Sequence, residues 1–299
     1  ERPVIDEVET RSLVQEILHE GQYRVRLGDA SNAIARAKSG VPLREAFKDS
    51  PEMGSILRDY QNRLRVLRVR DYDDILLDTA ALLESDTRLL QKIREEILHL
   101  LVDEFQDVNA VQYRLVRLLA GNGKNLFVIG DPDQAIYSFR GADRRFFRRL
   151  TEDFPGGRSF RLETNRRSTG AILATAQAVM GSNLDRKERP LRTLREAGLR
   201  VRLIVSRSEL AEGIAVAQEI VRQVGGIDLL GAVRTTGPGR SFGDIAVLFR
   251  TGRQADVIEN CLRKAGVPCR IVGQKSFLDA GPVRETLVFV RSAANPQDA

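Results

Sequence analysis

From residue 97 onward, short apolar runs alternate with stretches of helical periodicity, and this alternation limits the chain to a parallel α/β arrangement. Ile97-Leu98-His99-Leu100-Leu101-Val102 is followed by a helix-like stretch from Ala110 to Ala120, then by Leu126-Phe127-Val128-Ile129. The pattern resumes with Phe160-Arg161-Leu162, a helix over Ala171 to Met180, and Val201-Arg202-Leu203-Ile204-Val205. Ser206-Arg207-Ser208-Glu209 fits a capping box that opens the next helix, with Leu210, Ile214, Ala217, Val221 and Val224 on one face. Ile245-Ala246-Val247-Leu248-Phe249 and a helix over Ala255 to Lys264 close the series. Runs so short and so apolar are strands of a parallel sheet buried on both faces. Residues 1 to about 97 differ: Val14, Ile17 and Leu18, and then Ile56, Tyr60, Leu64 and Leu67, keep helical spacing throughout. Two α/β lobes behind a helical segment is the economical reading.

Composition narrows the class. The 299 residues are 42% hydrophobic and 29% charged, enough for roughly two domains with sizeable cores. No apolar run approaches the length of about 18 residues that a membrane span needs. Glu1 to Glu9 has neither the basic start nor the apolar stretch of a signal peptide, and the first residue is not Met, so a portion of a longer protein is expected. Cys261 and Cys269 are too few for a disulfide framework and lack the paired spacing of a zinc site, which points to a reduced, cytoplasmic setting. His19 and His99 lie in apolar contexts without a partner pattern and read as structural. The net charge of +6 comes from 47 cations, 40 of them Arg, the better fork for phosphate oxygens. That count suits a polyanionic partner, and the base composition of a GC-rich gene accounts for it equally well. Gly225 to Gly243, with six Gly and one Pro, reads as a long loop, and Asn183 to Arg202 as a polar surface loop. A last helix is expected over about Val283 to Ala293, after Gly281-Pro282.

The residues that carry chemistry sit at the ends of the apolar runs. Asp103-Glu104 places two carboxylates at the carboxyl edge of a parallel sheet, where ligands of open α/β sheets bind. In nucleoside triphosphate hydrolases such a pair divides its work, one acid holding Mg²⁺ and the other polarising the attacking water. Acids also collect at the first turn of a following helix for electrostatic reasons alone. The second run ends in Gly130-Asp131-Pro132-Asp133-Gln134, where Gln134 is placed to sense a terminal phosphate. Tyr137 and Phe139 with Arg140 offer stacking platforms and a cation for a single strand, the alternative being core packing. The third run leads to Arg166-Arg167, a pair able to reach an anion across a cleft.

Three strings, Asp103-Glu104-Phe105-Gln106-Asp107, Gly130 to Ala142, and Leu162-Glu163-Thr164-Asn165-Arg166-Arg167-Ser168, resemble motifs II, III and IV of superfamily 1 DNA helicases of the UvrD/Rep kind, in this order and at these spacings. Tyr60-Gln61 with Asp71-Tyr72-Asp73-Asp74-Ile75-Leu76 resembles the segment upstream of motif II. Ile245 to Arg250, Gly266-Val267-Pro268 and Asn295-Pro296 resemble second-lobe landmarks. The resemblance implies an α/β fold of two RecA-like (P-loop NTPase) lobes with parallel sheets, the first incomplete, plus a helical subdomain on the N-terminal side. Its boundaries would be a helical subdomain over 1–75, part of the first lobe over 76–158, the second lobe over 159–280 and the start of a further helical region over 281–299.

It also implies an ATP-dependent DNA helicase that couples Mg-ATP hydrolysis to 3′ to 5′ movement on single-stranded DNA and to duplex unwinding, in repair, replication or recombination. By that comparison Asp103 binds Mg²⁺, Glu104 activates water, Gln134 couples the γ-phosphate to the DNA site, and Arg167 acts as an arginine finger. Tyr137, Phe139 and Arg140 contact single-stranded DNA. The chain departs from the family twice. Arg166 stands where a Tyr usually stacks on adenine, and Phe139 where Trp is common. No phosphate loop of the form G-x-x-x-x-G-K-[ST] is present, and Gly121-Asn122-Gly123-Lys124 precedes a strand where a phosphate loop follows one. The chain alone is therefore expected to be inactive, and its first sheet to have an unpaired edge or an uncovered face. A non-catalytic helicase-like module that binds DNA or a protein is the alternative. Against it, such a module has no physical need for Asp103, Glu104, Gln134 and Arg167 together.

Overall fold

The computed structural model describes residues 2–47, 50–181, 191–225 and 240–272, with single positions between 283 and 293. Residues 182–190, 226–239 and Asn295-Pro296, where parts of two expected loops and one landmark fall, lie outside the described residues. Two compact units are present, Glu1–Gly198 and Leu199–Ala299.

The first unit begins as helices: α1 (Glu7–Glu20), α2 (Leu27–Lys38), α3 (Leu43–Phe47), α4 (Pro51–Leu67), α5 (Tyr72–Ser85) and α6 (Thr87–Glu96). Asp6 opens α1 through a reciprocal capping box with Glu9. Leu13, Val14, Ile17 and Leu18 of α1, Ala30, Ala33 and Ile34 of α2, and Met53, Ile56, Leu57, Tyr60 and Leu64 of α4 close one apolar core. The helical spacing of Ile56, Tyr60 and Leu64 is thus the buried stripe of α4, whereas Leu67 at its end is half exposed.

At the end of α2 a charge is buried deliberately. Lys38, 3% exposed, places its Nζ 2.5 Å from Asp71 Oδ2 and 2.7 Å from Asp74 Oδ1. The Tyr60 hydroxyl donates to the same Asp71 oxygen at 2.7 Å, and Asp71 Oδ1 accepts the Asp74 N–H, so the acid that neutralises Lys38 also caps α5. Burial, and then the bond to Asp71, push the Tyr60 phenol above its usual range, keeping it a donor.

Next come β1 (Leu100–Val102), α7 (Ala110–Ala120), β2 (Leu126–Val128) and α8 (Arg145–Asp153). β1 and β2 pair in parallel, Leu100 against Leu126, Leu101 against Phe127 and Val102 against Val128. The two-residue period of a strand divides them. Val102 and Val128 face a core of Phe105, Val108, Tyr113 and Phe146, while Leu101 and Phe127 point away, 70% and 56% exposed. One face of this ladder is covered among the described residues, which corrects the burial on both faces read from the apolar runs and agrees with the uncovered face expected of an incomplete first sheet. The unit ends with β3 (Thr164–Asn165), α9 (Gly170–Gly181) and β4 (Arg192–Thr193), where Thr164 and Asn165 pair in parallel with Arg192 and Thr193.

The second unit contains α10 (Glu209–Val224) and α11 (Gly252–Lys264), packed through Ala217, Ile220, Leu262 and Val267. Gly213 sets their approach, since a Cβ there would sit 2.8 Å from Cys261 Sγ. Five expectations are corrected. Phe160–Leu162, Val201–Val205 and Ile245–Phe249 form no ladder among the described residues: Leu162, Leu203, Val205 and Leu248 are almost fully exposed, and an apolar run becomes a strand only beside a partner. Extension near the first run begins later, at Thr164, where Arg192 supplies that partner. The cap of α10 is Ser208, whose side chain accepts from the Ala211 N–H, and not Ser206. Its buried face is Gly213, Ala217 and Ile220, because the glycine seam admits α11, which leaves Leu210 and Ile214 in solvent. No helix among the described residues is long and apolar enough to cross a membrane.

Replacing Lys38 by Met strands two carboxylates in the interior. The expected loss is about 3 kcal/mol or more of unfolding free energy, read by urea denaturation of the intact protein. An unchanged midpoint would remove the ion pair from the stabilising interactions.

Candidate functional site

β1 stops at Val102 because the next two residues are acids and the third is a ring that must be buried. Phe105 is completely buried, edge-on to Phe147 and Tyr113 at centroid distances of 5.1 and 6.1 Å, and it heads a 3₁₀ turn, Phe105–Asp107. Between the ladder and that ring the backbone must turn sharply, and Glu104 takes the left-handed conformation, φ 49°, ψ 44°. A side chain other than Gly held there costs about 1 to 2 kcal/mol. Asp103 accepts the Glu104 N–H through Oδ1 at 2.8 Å. Both carboxylates are exposed at the carboxyl end of β1.

β2 ends beside them. The Ile129 N–H donates to the Val102 carbonyl at 2.9 Å and the Phe105 N–H to the Ile129 carbonyl at 3.0 Å, so the two chain ends stay joined past the strands. Gln106, 2% exposed, donates from Nε2 to Glu104 Oε2 at 2.5 Å and accepts the Asp131 N–H at Oε1, 2.9 Å away. Gly130 leaves room for this, since a Cβ there would lie 2.6 Å from Gln106 Oε1. Asp131 caps a second 3₁₀ turn, Pro132–Gln134, and its Oδ2 accepts from Gln134 Nε2 at 2.9 Å. Asp107 lies behind the pair with a buried Oδ1 that has no hydrogen-bond partner among the described residues; desolvation, and then the Glu104 charge, raise its carboxyl pKa.

A third 3₁₀ turn, Ser138–Arg140, carries the aromatic residues. Tyr137 is 40% and Phe139 50% exposed, their centroids are 5.9 Å apart, and the Arg140 guanidinium lies 5.9 and 5.8 Å from the two rings. The core-packing alternative for these rings does not hold. The turn rests on the end of α2: Arg36 donates to the Ser138 carbonyl at 3.2 Å, and Gly141, at φ 89°, lies where a Cβ would collide with Ser39 Oγ.

Arg166 and Arg167 follow β3. Asn165 Oδ1 accepts the N–H groups of Arg167 and Ser168 at 3.0 and 2.7 Å, which turns the backbone and leaves both guanidinium groups exposed. Neither makes an ion pair or hydrogen bond with Asp103, Glu104 or Gln134. The fold thus unites Asp103, Glu104 and Gln134 at neighbouring strand ends and gathers Tyr137, Phe139 and Arg140, leaving the two arginines apart. Sequence reasoning missed Gln106, Asp131 and Arg36 as parts of this site. Gln106 stood inside a quoted motif, and a polar residue adjoining a buried ring was its one available signal.

No cluster of three or more Asp, Glu, His or Cys able to hold a metal occurs among the described residues. One or two exposed carboxylates fit Mg²⁺, which keeps water and substrate oxygens as its remaining ligands.

Comparison with known proteins covers the stretch of chain that holds these residues. The UvrD/REP helicase N-terminal domain family matches residues 4–155, and the UvrD-like helicase C-terminal domain family matches residues 160–299. The ATP-dependent DNA helicase UvrD1 of Mycobacterium tuberculosis is 34% identical over 294 residues, covering 93% of this chain and 36% of that protein. The ATP-dependent DNA helicase PcrA of Bacillus subtilis is 32% identical over 304 residues, covering 99% of this chain and 40% of that protein. The chain therefore spans well under half the length of these relatives.

Gly141→Ala combines a disfavoured φ with a collision against Ser39, and should cost more than the roughly 1 to 2 kcal/mol of the backbone conformation alone. Limited proteolysis of the intact protein should show faster cleavage between 131 and 142. Unchanged cleavage would mean the turn does not depend on its seat on α2.

Proposed function

Because the chain belongs to the UvrD/REP helicase family, we propose that it forms part of an ATP-driven DNA helicase that moves 3′ to 5′ along single-stranded DNA and separates duplex. Its organisation is that of two RecA-like lobes, over 76–158 and 159–280, with a helical subdomain over 1–75 and a further helical region from 281. Activity is assigned to the intact protein.

The observation that carries this reading is the exposure of Asp103 and Glu104 at the end of β1, next to the turn that bears Gln134. Parallel strand ends are where α/β sheets bind ligands. Asp103 holds Mg²⁺, which when bound neutralises phosphate charge. Glu104 takes the proton of the attacking water, the role a carboxylate fixed beside a phosphate can fill. Gln134 offers its amide to the terminal phosphate while Asp131 holds it from behind. Arg167 supplies positive charge to the phosphate oxygens, and Arg166 offers a guanidinium plane to the base. Tyr137 and Phe139 stack on successive bases, with Arg140 as the adjoining cation. Their grouping supports this role: two partly exposed rings lie 5.9 Å apart on one turn with a guanidinium 5.8 to 5.9 Å from both.

Two outcomes are expected in the intact protein. Glu104→Gln should reduce DNA-stimulated ATP hydrolysis by about 100-fold or more while ATP binding persists; retained turnover would sink the assignment of Glu104 as base. Phe139→Ala should weaken single-strand affinity by about tenfold and abolish unwinding. Parental affinity would return Phe139 to a structural role.

A further inference from the structure

We propose that Gln106 is a positioning residue for hydrolysis: its buried amide ties the Glu104 carboxylate to the Asp131 backbone, and the Asp131 carboxylate extends the tie to Gln134, so that base and phosphate-facing amide are held as one hydrogen-bonded unit. The inference rests on the reading of Glu104 as the base.

A side chain 2% exposed must satisfy both ends of its amide within the protein, and Gln106 does so with partners of opposite kind. A carboxylate can only accept, so Nε2 faces Glu104; a backbone N–H can only donate, so Oε1 faces Asp131. The same logic orients Gln134, whose Nε2 faces Asp131 Oδ2. That leaves its carbonyl and its second N–H for a ligand.

A purely structural role does not account for the geometry. The ends of β1 and β2 are already joined by two backbone hydrogen bonds, Ile129 to Val102 and Phe105 to Ile129. What Gln106 adds is control of Glu104, an exposed side chain with several rotatable bonds that would otherwise sample many rotamers. Its left-handed backbone directs the carboxylate and the Gln106 N–H stops it. Gly130 keeps open the slot through which the amide passes, being the residue whose Cβ would collide with Oε1. A base must be held to a fraction of an ångström, and a misplacement of about 1 Å costs about 100-fold in rate.

The test compares Gln106→Glu with Glu104→Gln in the intact protein. Gln106→Glu keeps the shape and the acceptor for Asp131 but loses the donor to Glu104. It should lower DNA-stimulated kcat by about 10- to 100-fold, with KM for ATP and single-strand affinity within about threefold of the parent. As pH falls from about 8 to about 6, the introduced acid, its pKa raised by the adjoining carboxylate, regains a proton it can donate to Glu104. The ratio of variant to parent kcat should therefore rise. Parental kcat at every pH overturns the proposal, as does a loss that is flat with pH and matched by a rise in KM. If the variant does not fold, Gln106→Met, which keeps the length and removes both bonds, carries the same kcat-against-KM comparison. Failure of the underlying reading shows separately, as retained turnover in Glu104→Gln.

Discussion

The burial of the Phe105 ring, two residues after an exposed carboxylate and directly after another, governs the region around the strand ends. Between Val102, fixed in the parallel ladder, and Phe105, fixed among Phe147, Tyr113 and the α8 face, only two residues remain to reverse from strand to turn. Asp103 caps the step with its own carboxylate and Glu104 absorbs the strain as a left-handed residue. Both acids then lie at the surface, with the buried rings and the Gln106 amide behind them. Hydrophobic burial thus sets where the chain turns, and the Gln106 amide holds the Glu104 carboxylate. The interior contact contributes more than the roughly 1 to 2 kcal/mol the strained backbone consumes. Strain kept at a ligand-facing position by surrounding packing is a recurrent feature of functional sites.

The helical segment connects to the same region through the last turn of α2. Lys38, Ser39 and Arg36 lie within four residues and do three different things. Lys38 locks the helix end to Asp71 and Asp74 in the interior; Ser39 seats Gly141; Arg36 holds the Ser138 carbonyl. A buried ammonium is a weak source of net stability, because the desolvation it suffers offsets much of its Coulombic gain. Its value is directional. With α2 placed so that Nζ meets Asp71 and Asp74, Arg36 and Ser39 meet the aromatic turn. The same helix end thus contacts both the buried ion pair and the turn that carries Tyr137, Phe139 and Arg140.

How much of this is legible in the chain follows from the range of each interaction. The helix over Ala110–Ala120 coincides with expectation because Asn109 and Gln112 form a local capping box around a periodic apolar stripe. β1 and β2 are legible because each run ends in residues that cannot continue it. Val201–Val205 is as apolar as either, yet forms no ladder, since pairing depends on a partner that no property of the run encodes. The face of α10 eluded periodicity for a similar reason: Gly213, with no side chain to enter an apolar pattern, is the contact itself. At the strand ends, the exposure of Asp103 and Glu104 follows from their place after an apolar run. Gln106 is not legible in this way, since its importance lies in being buried between Glu104 and Asp131, a fact of the third dimension.

The distribution of positive charge illustrates the same distinction. Nine Arg lie between Phe139 and Arg167 against four acids, a count that suggests a broad basic surface. On α8, however, Arg148 pairs with Glu152 and Arg149 with Asp153, and Arg145 turns back on Asp143 just ahead of the helix. These are exposed pairs of small individual worth, and their effect is to neutralise that helix face. Arg140, Arg158, Arg161, Arg166 and Arg167 have no carboxylate partner among the described residues, and three of these five, Arg140, Arg166 and Arg167, stand in the motifs. An arginine without an internal acid keeps its full field for a ligand, whereas a paired one must first surrender its partner. The total of +6 says little by itself about this stretch, since part of its charge is already paired on α8 and part is not.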